Sequence, residues 1–250
     1  MKVRVCVITG YGINADRELA EAFSLVGGEA VPVHIQDLID TPKLLEAYQI
    51  LAFPGGFSFG DHLGSGLVFA HLVKKTLGES LSAFLQSGNL VIGICNGFQV
   101  LVKMGLLPNT AGGMEPEVSL IHNASGSFID RWVRVRFDPE SPSVWTKGLS
   151  TMELPIRHGE GRFVAGSPAV ARILQEQRLI ALTYDGDNPN GSEMDVAGIT
   201  DPTGRILGLM PHPEAFMYPE NHPRWTREGI GRGFGLDIFA NGIHWLQKRG

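Results

Sequence analysis

Leu90-Val91-Ile92-Gly93-Ile94 is apolar without a break and runs straight into Cys95-Asn96-Gly97. A half-exposed strand would alternate, and a surface helix would show polar positions on one side. An unbroken run of five bounded by turn formers is the pattern of a strand covered on both faces in the middle of a parallel sheet. Parallel pairing needs crossovers, and the first hundred residues provide them. Strand-like runs at residues 2–8, 30–35 and up to Phe53 alternate with helical stretches at 16–26, 66–85 and 96–104. This βαβ rhythm predicts an α/β chain whose ligand site lies at the carboxyl ends of the strands.

Beyond Glu117 the pattern changes. Residues 128–137 alternate apolar and charged, as a strand with one wet face should, so the sheet is expected to gain antiparallel strands there. Further strands are predicted at 179–184, 195–199 and 206–210, and a last helix at 235–247 with Ile238, Phe239, Ile243 and Leu246 turned inward. The turn-rich stretches 188–191, 218–223 and 229–235 read as loops, not linkers. The expected architecture is one domain over residues 1–250, with a mostly parallel central sheet flanked by helices and extended by antiparallel strands.

Composition removes several function classes. With 43% hydrophobic and 19% charged residues the 250-residue chain is not disordered. A net charge of −5 without a basic cluster argues against nucleic acid as a partner. The longest apolar stretches are about six residues, against the roughly 18 that a membrane span needs. The opening residues alternate like a strand rather than forming the apolar core of a leader peptide, so a cytoplasmic setting with Cys6 and Cys95 as reduced thiols is expected.

Gly93-Ile94-Cys95-Asn96-Gly97 carries the clearest chemical signal. Glycines on both sides of a cysteine, between a buried strand and a helix, form the thiol version of a nucleophile elbow. Free N–H groups at the helix start favour a thiolate, and that of Asn96 can donate to a developing oxyanion. Taken alone, Cys95 reads equally well as a small buried residue in a tight turn. A nucleophile needs a base and the base an orienting group; His212 and Glu214, in Met210-Pro211-His212-Pro213-Glu214 after a strand, have the right chemistry. An isolated His-Pro-Glu is more often a solvated loop, so their value depends on lying beside Cys95. Phe53-Pro54-Gly55-Gly56-Phe57-Ser58-Phe59-Gly60-Asp61 offers a backbone approach that could supply a second oxyanion donor.

Gly10-Tyr11-Gly12-Ile13-Asn14-Ala15 competes, since it matches the dinucleotide fingerprint with Asp37 after the next strand. The acid comes later than that fingerprint asks, and 14–16 reads equally as a helix start. Cys6 reads as core. No histidine is spaced with Cys or acid as a metal site requires, so no metal is expected.

Three motifs in order, Phe53 to Asp61, Gly93 to Gln99 and Pro211 to Glu214, resemble the class I glutamine amidotransferases, whose sheet is flavodoxin-like. Gly-Gly-Phe-Ser-Phe-Gly-Asp at 55–61, His-Gly-Glu-Gly-Arg at 158–162 and Asn-Pro-Asn-Gly-Ser at 188–192 are similar within that family to the glutaminase subunits of phosphoribosylformylglycinamidine synthases in de novo purine synthesis. The resemblance implies a Cys95, His212, Glu214 triad that hydrolyses L-glutamine, with backbone oxyanion donors at Gly56 and Asn96. It also implies glutamine contacts at Phe57, Gln99, His158, Gly159 and Glu160. It assigns no cofactor to this chain, with ATP and Mg on a partner synthetase subunit, and allows a small accessory subunit. Ala15, His62 and Gly64 depart from the family pattern, where cysteine, tyrosine and arginine are usual, and bear on partner docking rather than the triad. The other readings are a stand-alone cysteine amide hydrolase and a non-catalytic nucleotide-binding module on residues 10–15.

Overall fold

The computed structural model describes residues 2–249. The first half comprises β1 (Arg4–Thr9), α1 (Asp16–Leu25), β2 (Glu29–His34), α2 (Ile35–Asp40), β3 (Ile50–Phe53), α3 (Leu67–Gln86), β4 (Leu90–Ile94) and α4 (Asn96–Lys103), and follows the predicted rhythm except for the added α2. All five residues of β4 are buried. The 20-residue α3 turns Phe69, Ala70, Val73, Leu77, Leu81 and Phe84 into the core, the three- and four-residue spacing of an amphipathic helix. Ile35, which the sequence pattern assigns to the second strand, instead opens α2, because the His34 imidazole accepts from the Gln36 amide and caps it.

The second half contributes β5 (Val118–Ile121), β6 (Ile129–Phe137), β7 (Thr151–His158), β8 (Arg162–Ala165), α5 (Pro168–Glu176), β9 (Ile180–Tyr184), β10 (Val196–Thr200), β11 (Ile206–Leu209), α6 (Trp225–Glu228) and α7 (Leu236–Gln247). The nine-stranded sheet runs β2-β1-β3-β4-β11-β10-β9-β6-β7, while β5 and β8 form a separate antiparallel pair. Strands β2 to β11 in that order pair in parallel, and β10, β9, β6 and β7 add antiparallel pairings. This is the α/β architecture expected, with antiparallel strands on one side. Ile238, Phe239 and Ile243 of α7 are buried, with Leu246 packed at the core's margin.

Six elements escape the sequence pattern: α2, β5, β7, β8, α5 and α6. Pro155 in the middle of β7 argues against a strand, and β7 can tolerate it because it lies at the sheet edge, paired only with β6. α5 was signalled by Ser167-Pro168, in which the Ser167 hydroxyl accepts from the Val170 amide and proline takes the first turn.

The order of the sheet positions the chemistry. β11, which arrives more than one hundred residues after β4, inserts beside it in parallel, with Leu209 level with Ile94 and Gly208 with Gly93. Whatever follows Leu209 therefore leaves the sheet next to whatever follows Ile94.

Candidate active site

Cys95 follows Ile94 with φ 50° and ψ −105°, a backbone state that L residues adopt only under constraint. Its amide donates to the Leu209 carbonyl at 2.8 Å, and α4 begins immediately after it. The turn depends on a close approach of chains. A Cβ at Gly97 would lie 2.0 Å from the Phe53 carbonyl oxygen, so α4 can pack onto β3 only with hydrogen at that position. The Cys95 thiol faces the Arg157 carbonyl oxygen at 3.6 Å.

Past Leu209 the chain turns through Met210 and Pro211, and the His212 amide donates to the Pro155 carbonyl at 2.8 Å. Proline's carbonyl thus pins the histidine to edge strand β7. The short turn Pro213–Ala215 brings Glu214 back onto the ring, with Oε1 2.6 Å from Nδ1 of His212. Glu214 is fully buried and His212 nearly so. Burial by itself opposes a charge on His212; the Glu214 carboxylate and the Cys95 sulfur outweigh it and raise the imidazole above its usual value. The carboxylate at Nδ1 selects the tautomer that carries its proton there, and Nε2 has no hydrogen-bond partner among the described residues.

Cys95 and His212 line one cavity of about 130 Å³, together with Gly56, Phe57, Asn14, Phe128 and Arg157. Four larger clefts lie elsewhere on the surface, such as one of about 450 Å³ between Arg136 and Arg178, and none of the four is lined by a cysteine or a histidine. The Asn96 amide is at the first position of α4 and is one of the N–H groups that a helix leaves free. Gly56 sits across from Ile13 in an isolated bridge, in which the Phe57 amide donates to Gly12 and the Asn14 amide to Gly55. Neither bond uses the Gly56 amide.

The glutamine contacts implied by resemblance divide. Phe57 is at the cavity, half exposed, with its ring 6.4 Å from that of Phe128. Gln99, His158, Gly159 and Glu160 form a layer behind it. Gln99 donates to the Glu160 carbonyl and accepts from Asn96 Nδ2 at 2.9 Å. His158 ends β7 almost fully buried, with Nδ1 3.0 Å from Asn123 Oδ1. Burial, reinforced by the charge on His212, lowers its pKa to about 4, so it is neutral near pH 7. Gly159 accepts from the Asn123 amide, and Glu160 Oε2 from the Ser65 amide at 3.2 Å.

The Gly10 to Ala15 loop is not arranged to hold a nucleotide. Its place above the sheet is filled by the 55–59 loop: a Cβ at Gly12 would lie 2.3 Å from the Phe57 carbonyl oxygen. The amides of Asn14 and Ala15, which should meet a phosphate at the start of α1, both donate to Gly55. What the loop supplies is Asn14 at the cavity. Asn14, Phe128 and Arg157 are not read as site residues in the sequence: Asn14 lies between β1 and α1, while Phe128 immediately precedes β6 and Arg157 lies on its antiparallel partner β7. Away from the cavity, Glu153, His222 and Glu228 bring ligand-type atoms within 4.8 Å of one another. Arg224 bonds both carboxylates there, and its guanidinium supplies the balancing charge. Of the departures from the family pattern, Ala15 is buried beside Gly55, while Gly64 has φ +109°, a state in which arginine would be strained.

An α/β sheet with a strained thiol at one strand end and a buried His–Glu pair at the next defines a class, and comparison agrees: the chain belongs to the CobB/CobQ-like glutamine amidotransferase domain family, whose model matches residues 2–246. The chain is 44% identical over 255 residues to the phosphoribosylformylglycinamidine synthase subunit PurQ of Dehalococcoides mccartyi, covering 99% of each chain. The same subunit of Methanococcus maripaludis is 39% identical over 268 residues, with 98% of each covered. Among solved structures, that of PurLQS from Thermotoga maritima superposes with a TM-score of 0.75 at 31% identity, over 98% of this chain and 100% of that one. A glutamine amidotransferase from the same organism shares the fold, with a TM-score of 0.56 at 17% identity over 100% of this chain and 98% of the other. No helix of the described residues is long and apolar enough to cross a membrane.

Proposed function

We propose that the chain is a single glutaminase domain that serves a phosphoribosylformylglycinamidine synthase, hydrolysing L-glutamine to glutamate and passing the ammonia to an ATP-dependent synthetase subunit. The observation that carries the chemistry is the buried His212–Glu214 pair, at 2.6 Å, leaving β11 directly beside the strained Cys95 turn that leaves β4. The relatives named PurQ, matched over almost their full lengths, support the choice of reaction, and the likeness to PurLQS supports a synthetase partner and a small accessory subunit.

In this reading the Cys95 proton moves to Nε2 of His212, whose basicity Glu214 raises, and the resulting thiolate Sγ adds to the carboxamide carbon of glutamine. Negative charge develops on the carboxamide oxygen, where the amides of Gly56 and Asn96 donate. Collapse breaks the carbon–nitrogen bond, ammonia leaves with the proton from His212, and a γ-glutamyl thioester remains on Cys95. Water, giving its proton to His212, attacks the thioester; glutamate departs and the thiol is restored. Glu214 keeps the imidazole in the tautomer that both steps use. Phe57 walls the substrate, and Gln99 with His158-Gly159-Glu160 backs it. In this reading ATP and Mg belong on the synthetase subunit, and the Asn14 and Ala15 amides of the Gly10 to Ala15 loop donate to Gly55. The setting is cytoplasmic, where a thiol nucleophile stays reduced.

The test is to treat the chain, assembled with its synthetase, with a diazo-ketone analogue of glutamine and map the adduct. Cys95 alone should be labelled, and excess glutamine should protect it. Cys6 should stay unmodified, since burial pushes its pKa up to about 12. Labelling of another residue, or labelling of Cys95 that glutamine does not block, would refute the reading.

A further inference from the structure

The two oxyanion donors of the proposed reaction come from segments that the sheet does not tie together. Asn96 begins α4 directly behind β4, but Gly56 lies three residues beyond the end of β3, in a loop where Phe59, Gly60 and Asp61 all have positive φ. Tyr11 and Gly12 hold that loop from one side through the Phe59 and Phe57 amides. These bonds reach the first crossover and leave the distance from the loop to the nucleophile turn unset.

On the other side the link is a chain of side chains. Asn96 Oδ1 accepts from the Ser58 amide at 3.2 Å, and both residues are almost completely buried. An amide that accepts there must point its Nδ2 the other way, and Nδ2 donates to Gln99 Oε1 at 2.9 Å and to Asp61 Oδ1 at 3.4 Å. Asp61 is held in turn: its Oδ1 accepts from the Gly66 amide at 3.3 Å and its Oδ2 from the Ser65 hydroxyl at 3.1 Å, while the Ser65 amide donates to Glu160. Gln99 Oε1 and the Asp61 carboxylate together fix which way the Asn96 amide faces, and that amide fixes Ser58, two residues from Gly56.

We infer that Asp61 is a positioning residue for the oxyanion hole, acting through the Asn96 side chain to hold the Gly56 loop against the nucleophile turn. The residue that gives one donor from its backbone thus sets the other with its side chain. The inference rests on the glutaminase reading above and adds residues to it that touch neither substrate nor the reacting atoms.

The experiment uses the complex with the synthetase and the variants Asp61→Ala, Asp61→Asn, Asn96→Ala and the double alanine variant. Asp61→Ala should lower kcat for glutamine hydrolysis about tenfold, short of the hundredfold or more that follows outright loss of an oxyanion donor. The KM for glutamine should stay within about twofold, because the lost interaction belongs to the transition state. Iodoacetamide alkylation of Cys95, which builds no oxyanion, should keep its rate. Asp61→Asn keeps an acceptor for Asn96 and lets the Ser65 hydroxyl turn to accept, so it should recover most of the loss. The double variant should be no slower than the worse single one, the non-additivity of residues acting in one chain. A kcat for Asp61→Ala equal to the parent's, a double variant showing the product of the single losses, or kcat, KM and alkylation falling together would each overturn the inference. Glutaminase activity retained in Cys95→Ser would instead fail the underlying reading, and the inference with it.

Discussion

Gly55 touches the proposed catalytic apparatus without offering it any functional group, which makes Gly55→Ala a sharp test of the geometry. A Cβ there would lie 2.8 Å from Cε1 of His212, whereas ordinary contact begins at 3.4 Å, so the ring must recede by about 0.6 Å. It has little freedom to do so. Nδ1 is held by Glu214 at 2.6 Å and the backbone amide by Pro155 at 2.8 Å, both inside the protein. The new methyl would also sit 3.6 Å from the Ala15 Cβ, an ordinary contact, so strain falls on the imidazole. A misplacement of 1 Å can cost about a hundredfold in rate, and 0.6 Å therefore points to about a tenfold loss in kcat. The overpacking itself should cost about 1–2 kcal/mol of stability. The assay is steady-state glutamine hydrolysis in the assembled complex, beside urea unfolding of the chain. A KM within twofold of the parent and a folded variant are expected with the slower kcat. A variant that turns over at the parent's rate would show that His212 does not occupy the catalytic position assigned to it, and the reasoning would fail.

Two other outcomes follow from the same site. Glu214→Gln should reduce kcat by a factor on the order of 10³–10⁴ with the fold retained, because an amide facing Nδ1 no longer selects the tautomer, as with the aspartate of serine protease triads; activity within tenfold of the parent would remove Glu214 from the mechanism. His158, with its pKa lowered to about 4, stays neutral in the folded chain down to that pH, while the unfolded chain takes up a proton below about 6.5. The unfolded state then binds more protons between those values, so stability falls as pH drops from about 6.5 towards 4, by up to about 3 kcal/mol. Urea titrations of the parent and His158→Gln across that window should show a shallower loss in the variant, and parallel curves would contradict the assignment.

Much of the fold was legible because its signals are local. The unbroken apolar run of β4, the alternation of β6 and the glycine-bracketed turn at Cys95 each depend on residues adjacent in sequence, and each is where the pattern placed it. The resemblance between short motifs pointed to the proposed triad of Cys95, His212 and Glu214 for the same reason: an elbow and a His-Pro-Glu turn are built by neighbours. A strand such as β7 was hidden, since Pro155 marks it as broken and only its edge position makes the missing donor harmless.

Pairing was decided by the tertiary structure alone. Nothing within β11 states that it lies beside β4, or that His212 will hang from the Pro155 carbonyl of a strand over fifty residues earlier. The Gly10 to Ala15 loop illustrates the limit from the other side, because its local pattern suits a phosphate and its amides are taken by Gly55. His158, which the resemblance implies as a glutamine contact, is held almost fully buried and neutral near pH 7 by its tertiary surroundings, which its local sequence does not state. Sequence periodicity records which face of an element is buried, a property of neighbours along the chain. Which elements meet, and so which amides stay free and which carboxylate charges which histidine, is settled only when distant segments compete for the same space.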